Sequence, residues 1–331
     1  MRFLLGLILL VLVAAGLYAG YWFFAAERIR AETDDWAEAR EAEGWEVSRI
    51  GLAVEGFPGP HTIVMSGLDV AAPPAQGGWE FLADELVIAA AAPWDFTEWT
   101  VRPQSAVRIA LADGEMVDLA ATQSSLLLDT DGGIVRHFYA EATDVAIGAA
   151  TAPLRAAESV FAQGDLENGV WRVQFESRGA QIAEGAFGDA RDAFGGEIQV
   201  LALDLLAQEE GLAVLAAGGA GLEDAGDLTI SAAHLEWGAA ELSGEGALGV
   251  DADGRLRGTF DVAVADAASF LGALAGSGVL DPRQANVALA ASTFFPRDDQ
   301  DRMILPFTFR GGDTRLGPVA IGPAPVVYEA R

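Results

Sequence analysis

From Phe3 to Ala26 the chain reads FLLGLILLVLVAAGLYAGYWFFAA, without a single charged residue. No other feature constrains the fold as much, because roughly 20 apolar residues in a helix suffice to cross a bilayer core. Tyr18, Tyr21 and Trp22 lie toward its far end, where amphipathic rings prefer the headgroup level. A cleaved signal peptide has a shorter apolar core, about 7–15 residues, closed by a small-x-small site. Leu17-Tyr18-Ala19 matches such a site poorly and the run continues past it. The expectation is an uncleaved anchor over residues 1–26. Flanking charge does not orient it, since Arg2 precedes the run while Arg28, Arg30 and Arg40 come after it.

The segment from Glu27 to Glu43 is rich in alanine, glutamate and arginine, all strong helix formers, and Gly44 is a natural stop. Glu27 with Arg30, and Arg28 with Glu32, can pair at helical spacing. Residues 27–44 therefore read as a charged stalk continuing the anchor. The chain beyond Gly44 is long enough for one large or two modest domains. With 51% hydrophobic residues the protein is not a disordered chain. The net charge is −29 and all 20 basic residues are arginine. That excess argues against nucleic acid, whose phosphates need a basic footprint, and against docking on anionic headgroups. The absence of cysteine fits an oxidising compartment and excludes thiol nucleophiles and thiolate metal sites.

From Trp45 the period changes. Gly51-Leu52-Ala53-Val54, Ile63-Val64-Met65, Leu86-Val87-Ile88 and Val107-Arg108-Ile109 are short β-type stretches separated by Gly and Pro clusters. Thr151 to Gln163 is open to two readings, a helix after Pro153 or another strand. Gly185 to Gly196 reads as a loop, dividing a first β-rich half (45–190) from a second (191–331). The clearest alternation lies further on. Leu242, Gly244, Gly246, Leu248 and Val250 share one strand face, Asp251-Ala252-Asp253-Gly254 turns, and Leu256, Gly258, Phe260, Val262 and Val264 share the next. Asp266 can cap a short helix ending at Gly276, and a second helix is expected near Pro282. A closing hairpin runs Met303 to Phe309, turns at Gly311-Gly312-Asp313 and returns over Leu316 to Ile321. The fold class expected is mainly β: a curved antiparallel sheet, groove-like or open-barrel-like, with a few short helices behind one transmembrane helix.

Catalytic motifs fail on context. Gly244-Glu-Gly246-Ala-Leu-Gly249 matches GxGxxG formally, but the glycines lie inside a strand, and that fingerprint must open a helix. The Asp251 turn lacks the ligand spacing and closing glutamate of a calcium loop. A phosphate loop needs a lysine the chain does not have, and no Gly-x-Ser-x-Gly elbow is present. His61, His137 and His234 read as hydrogen-bonded or solvated strand histidines, and paired carboxylates such as Asp34-Asp35 carry little meaning in so acidic a chain. No catalytic, cofactor-binding or metal-ligating residue is singled out, and no enzyme is expected. Strand glycines suggest another chemistry. Gly244, Gly246 and Gly258 can let the sheet curl, with Leu242, Leu248, Val250, Leu256, Phe260, Val262, Phe307 and Phe309 lining its concave side. Such an interior is either filled by its own side chains or holds something greasy.

Several blocks also carry a resemblance. Leu235-Glu236-Trp237-Gly238, Leu242-Ser-Gly244-Glu-Gly246, Asp251-Ala-Asp253-Gly254, Gly258, Leu305-Pro306-Phe307 and Leu316-Gly317-Pro318 are similar to the C-terminal core of the alphaproteobacterial domain of unknown function 2125 family. Gly56-Phe57-Pro58, preceded by Trp45, matches that family near its front; the basic residue expected soon after the proline is replaced by Gly59-Pro60-His61. The resemblance implies an inner-membrane protein with one N-terminal span and its bulk in the periplasm, and it brings no activity. The Leu-x-Gly-x-Gly strand and Asp-x-Asp-Gly turn also look distantly like AsmA-like envelope proteins, a likeness of pattern that transfers no function. Two functions stand as expectations: an envelope protein that binds or passes lipids or other hydrophobic molecules along its sheet, or a scaffold with a self-filled core. A carboxylate-dependent envelope hydrolase is a remote third.

Overall fold

The computed structural model describes residues 2–111, 114–149, 151–209, 227–276 and 295–327. Anchor and stalk are one uninterrupted helix, α1 (Arg2–Ala42). No proline interrupts it, and the stalk carries the expected pairs Arg28–Glu32 at 2.8 Å and Arg30–Glu27 at 3.1 Å. It ends where Gly44 takes a φ of +90° and its N–H donates to the Glu41 carbonyl. From Leu10 to Ala42 this helix is long and apolar enough to cross a membrane.

The remainder is one large antiparallel sheet of eighteen strands among the described residues. Its first half comprises β1 (Glu46–Ser48), β2 (Gly51–Glu55), β3 (Thr62–Ala71), β4 (Glu80–Ala92), β5 (Asp95–Pro103), β6 (Val107–Ala110), β7 (Met116–Ala120), β8 (Gln123–Asp131) and β9 (Ile134–Gly148). β10 (Leu154–Glu167) and β11 (Val170–Ile182) lead to a short helix, α2 (Asp189–Phe194). The second half continues through β12 (Glu197–Gln208), β13 (Leu228–Trp237), β14 (Ala240–Val250), β15 (Leu256–Val264), helix α3 (Ala267–Gly276), β16 (Met303–Arg310), β17 (Asp313–Leu316) and β18 (Val319–Pro323). Three rows are split strands: β1 with β2 along β3, β5 with β6 along β4, and β7 with β8 along β9. From β9 onward the sheet is a plain meander. No described pairing joins β18 to β1 or β2.

One open reading is resolved here and two expectations change. Thr151 to Gln163 resolves as strand, because β10 is flanked on both sides by long partners, β9 and β11, that satisfy its backbone. The Gly185–Gly196 segment contains α2, yet β11 and β12 on either side of it pair directly, so the sheet continues across it. The closing return is broken in two at Gly317, whose N–H donates to the Pro306 carbonyl. The helix expected near Pro282 falls outside the described residues.

The register creates the dominant surface. Directly opposed residues point to the same face. Following partner to partner from β2 to β16 gives Val54, Ile63, Ile88, Val101, Leu126, Ala140, Ala162, Phe175, Leu203, Ala233, Gly244, Val262 and Leu305. A second line beside it runs Ala90, Trp99, Leu128, Phe138, Gly164, Val173, Leu205, Ile230, Gly246, Phe260, Phe307 and Leu316. Neither contains a polar side chain. The opposite face carries Tyr139, Gln163, Gln174 and Asp204 in register. At about 4.8 Å per strand, the thirteen rows of the first line extend roughly 58 Å.

Helices cover this face only in part among the described residues. α1 packs over its start. α2 and α3 pack over one margin, where Phe194 stacks on Phe270 at 5.4 Å and both join Trp237, Ile182, Ile198 and Ala240 in a cluster. Asp266 caps α3, accepting the Ser269 N–H at 2.9 Å and its hydroxyl at 2.7 Å. The Ser269 backbone bond, followed by its hydroxyl, holds the Asp266 carboxyl below the ordinary aspartate value. This capping contribution is complete above the pKa of an unfolded aspartate and is lost as pH falls through the lower, folded value. Amide exchange of α3, measured by hydrogen exchange, is therefore expected to lose protection on acidification before the sheet does, and Asp266→Ala to show the loss already at neutral pH.

Candidate functional site

Two constructions share the front of the sheet. The first is an aromatic clasp. The β2–β3 loop holds Gly56-Phe57-Pro58, and Gly56 sits at φ +110°, where an added Cβ would lie 2.1 Å from the Pro60 carbonyl oxygen. Only glycine fits there. The Phe57–Pro58 peptide is cis. The ring of Phe57 stacks on Phe23 at 5.4 Å and meets Trp22 edge-on at 5.5 Å. Trp22 donates its indole N–H to the Gly59 carbonyl at 2.9 Å, and the Tyr18 hydroxyl donates to that of Pro58. His61 is fully buried, stacked on Trp22 at 4.5 Å, with Nε2 3.1 Å from the Trp22 carbonyl. A carbonyl only accepts, so Nε2 carries the hydrogen. The loop thereby grips α1 near the end of its apolar run, and Trp22 is only 3% exposed.

The second construction is a cavity of about 430 Å³ beyond the clasp, between α1 and the apolar face. Ile29, Glu32, Thr33 and Trp36 form the helix side; Ile63, Met65, Leu68, Leu86, Ile88 and Trp99 form the sheet side. Ile88 and Trp99 belong to the two apolar lines, so the cavity is continuous with the trough. Sequence reading missed it, taking the stalk as charged throughout. The signal was present: Trp22, Ala26, Ile29, Thr33 and Trp36 recur at alternating four- and three-residue steps, one helix face.

The eight residues expected to line a groove do share one face, over β14, β15 and β16. Phe260 stands opposite Gly246 and Phe307, Leu248 and Phe309 flank Gly258, and Val250 opposes Leu256. Their surroundings differ. Leu242 packs against the α2–α3 cluster and Val250 is 7% exposed, whereas Leu248, Leu256, Phe260, Val262, Phe307 and Phe309 are half-buried. The strand glycines receive side chains: a Cβ on Gly244 would meet the Phe260 ring at 2.6 Å, and one on Gly164 would meet Phe138 at 2.2 Å. Gly246 and Gly258 permit close backbone approach between β14 and β15. Trp237 donates to the Gly195 carbonyl at 2.8 Å and Gly238 abuts the Phe194 carbonyl, pinning α2 to the sheet. Gly254 closes the β14–β15 turn, with the Asp251 carboxylate accepting from the Asp253 and Arg255 N–H groups, and Gly317 turns β17 into β18.

The other histidines are bonded on half-exposed strands, His137 to Asp165 at 2.8 Å and His234 to Glu236 at 3.0 Å. Among the described residues no group of three or more His, Cys, Asp or Glu side chains is placed to hold a metal.

Fold and site define a class: a long open antiparallel sheet with one apolar face, clasped to an N-terminal helix capable of spanning a membrane. The family model described as "Uncharacterized protein conserved in bacteria (DUF2125)" matches residues 22–325, and the chain belongs to that family. The match begins at Trp22, the residue held by the clasp. Neither a curated protein nor a solved structure matches the chain.

Proposed function

We propose that this is a non-catalytic, single-pass protein of the inner membrane whose periplasmic sheet binds or passes lipids or other hydrophobic molecules along its apolar face. One observation carries the reading: two adjacent lines of residues cross the sheet without a polar side chain, and their middle has no covering layer among the described residues. With lines about 7 Å apart over roughly 58 Å, the strip amounts to on the order of 400 Å². Monomeric proteins rarely leave larger apolar patches in water, and such patches commonly mark binding sites. The periplasmic placement is supported by the absence of cysteine and by the likeness of the Gly-Phe-Pro and C-terminal blocks to their family pattern. The rival reading, a self-filled scaffold, draws on Phe260 lying over Gly244, Phe138 lying over Gly164 and the closed α2–α3 margin.

The test uses the full chain, because α1 supplies one wall. Purified in membrane-derived discs and then in mild detergent, the protein is extracted and the extract analysed by mass spectrometry. Stoichiometric lipid that survives detergent exchange, and saturable uptake of a fluorescent fatty acid, are expected. Absence of both would leave the scaffold.

A further inference from the structure

We propose that the cavity between α1 and the sheet is a binding site for one acyl chain of a membrane phospholipid, the first position a lipid occupies on the protein. This rests on the lipid-binding function proposed for the sheet and deepens it. The geometry begins with direction. Trp22 stacks on His61, Ile29 clusters with Ile63, and Trp36 and Leu68 both line the cavity. Fourteen helical residues rise about 21 Å; seven strand residues extend about 23 Å. The helix therefore runs along β3, and the cavity is the gap that opens between them above the clasp.

Its height is set by the same helix. Tyr18, Tyr21 and Trp22 mark the headgroup level, so Ile29 stands about 10 Å beyond Trp22 and Trp36 about 21 Å beyond. The headgroup layer on each side of a bilayer is about 5–8 Å thick. The cavity thus starts just outside the headgroups and extends about 10 Å further from the bilayer, and the hydrocarbon nearest to it belongs to the lipids around α1.

Its chemistry accepts a hydrocarbon chain and little else. The Trp99 indole N–H is already given to the Phe96 carbonyl at 2.9 Å, and the Thr33 hydroxyl to the Ile29 carbonyl at 2.8 Å. None of the buried unpartnered polar atoms among the described residues belongs to a wall residue. Glu32 marks the watery rim, paired with Arg28 at 2.8 Å and largely exposed. A volume of about 430 Å³ lies in the range of small-ligand sites, and the wall residues Ile88 and Trp99 lead into the trough.

The experiment places a photo-crosslinking phenylalanine analogue at Trp36, in the cavity, or at Phe175, mid-trough, in the full chain in native membranes. Adducts are identified by mass. Phospholipid adducts are expected at both positions, and filling the cavity by Leu68→Trp is expected to reduce both at least tenfold while circular dichroism is unchanged. Thr33→Phe narrows the same space from the helix side and serves where Leu68→Trp disturbs the fold. Adducts at Phe175 with none at Trp36, or adducts unaffected by filling, overturn the cavity as first site and leave the trough standing. Adducts at neither position overturn both readings. Free fatty acid in place of phospholipid overturns the assigned source.

Discussion

A Leu203→Glu chain is expected to lose at least nine-tenths of its bound lipid and to keep its fold. Leu203 lies near the middle of the first apolar line, between Phe175 and Ala233, and is half-buried. In a trough open to water, a carboxylate there can remain hydrated, so the sheet tolerates it. In a trough holding hydrocarbon, the same carboxylate must lose its hydration or keep the ligand out, and an unpaired charge is very costly to bury. Only about 1.4 kcal/mol of that cost corresponds to a tenfold loss of affinity. Mass spectrometry of extracts gives the first quantity and thermal melting with circular dichroism the second. Asp204→Leu, one residue along on the opposite face, is the control and should leave lipid content unchanged. A Leu203→Glu chain that keeps wild-type lipid would remove the trough from consideration; one that unfolds would show the line to be packed core.

The second large effect is expected at the clasp. Truncating Trp22 to alanine removes the stack on His61, the edge contact with Phe57 and the bond to the Gly59 carbonyl together. Buried tryptophan-to-alanine changes cost about 3–5 kcal/mol. For a domain of this size that lowers Tm by roughly 5–10 °C. The loss is local in origin, so limited proteolysis between Gly56 and His61 should accelerate before the rest of the sheet yields. Trp22→Phe keeps the ring, loses the indole bond and should fall between the two. Equal proteolysis rates in all three chains would show that the loop does not depend on α1.

How legible these features were in the sequence varied with their range. The β14–β15 hairpin was visible because alternation and an Asp-x-Asp-Gly turn are local, and Asp266 announced α3 for the same reason. The Gly-Phe-Pro block was recognised, yet its purpose was not, since Phe57 and Trp22 are distant in sequence and meet only in the fold. His61 read as a hydrogen-bonded or solvated strand histidine; it is hydrogen-bonded, and what the sequence did not show is that its partner is the Trp22 carbonyl of α1, which makes it the buried contact between sheet and helix. The apolar lines depend on register across more than a dozen strands, and shifts such as those beside Asp204 and Ile230 are set by neighbours that a single strand does not reveal. The glycines were taken as points of curvature; the ring of Phe260 lying over Gly244 shows that they also make room for aromatic side chains.

The alignment of α1 with β3 carries a consequence for traffic. Strands that run with the anchor stand upright on the bilayer, and a row of upright strands advances sideways. Twist turns each strand relative to the last, about the axis along which the rows advance, and leaves that axis in place. If α1 crosses the membrane near its normal, the apolar strip would track the bilayer surface, like a gutter under an eave, with its far end at β16 and β17 reaching outward laterally. A molecule moving along it would travel from one patch of the same membrane to whatever meets that far edge, and a climb away from the bilayer would need a second protein there.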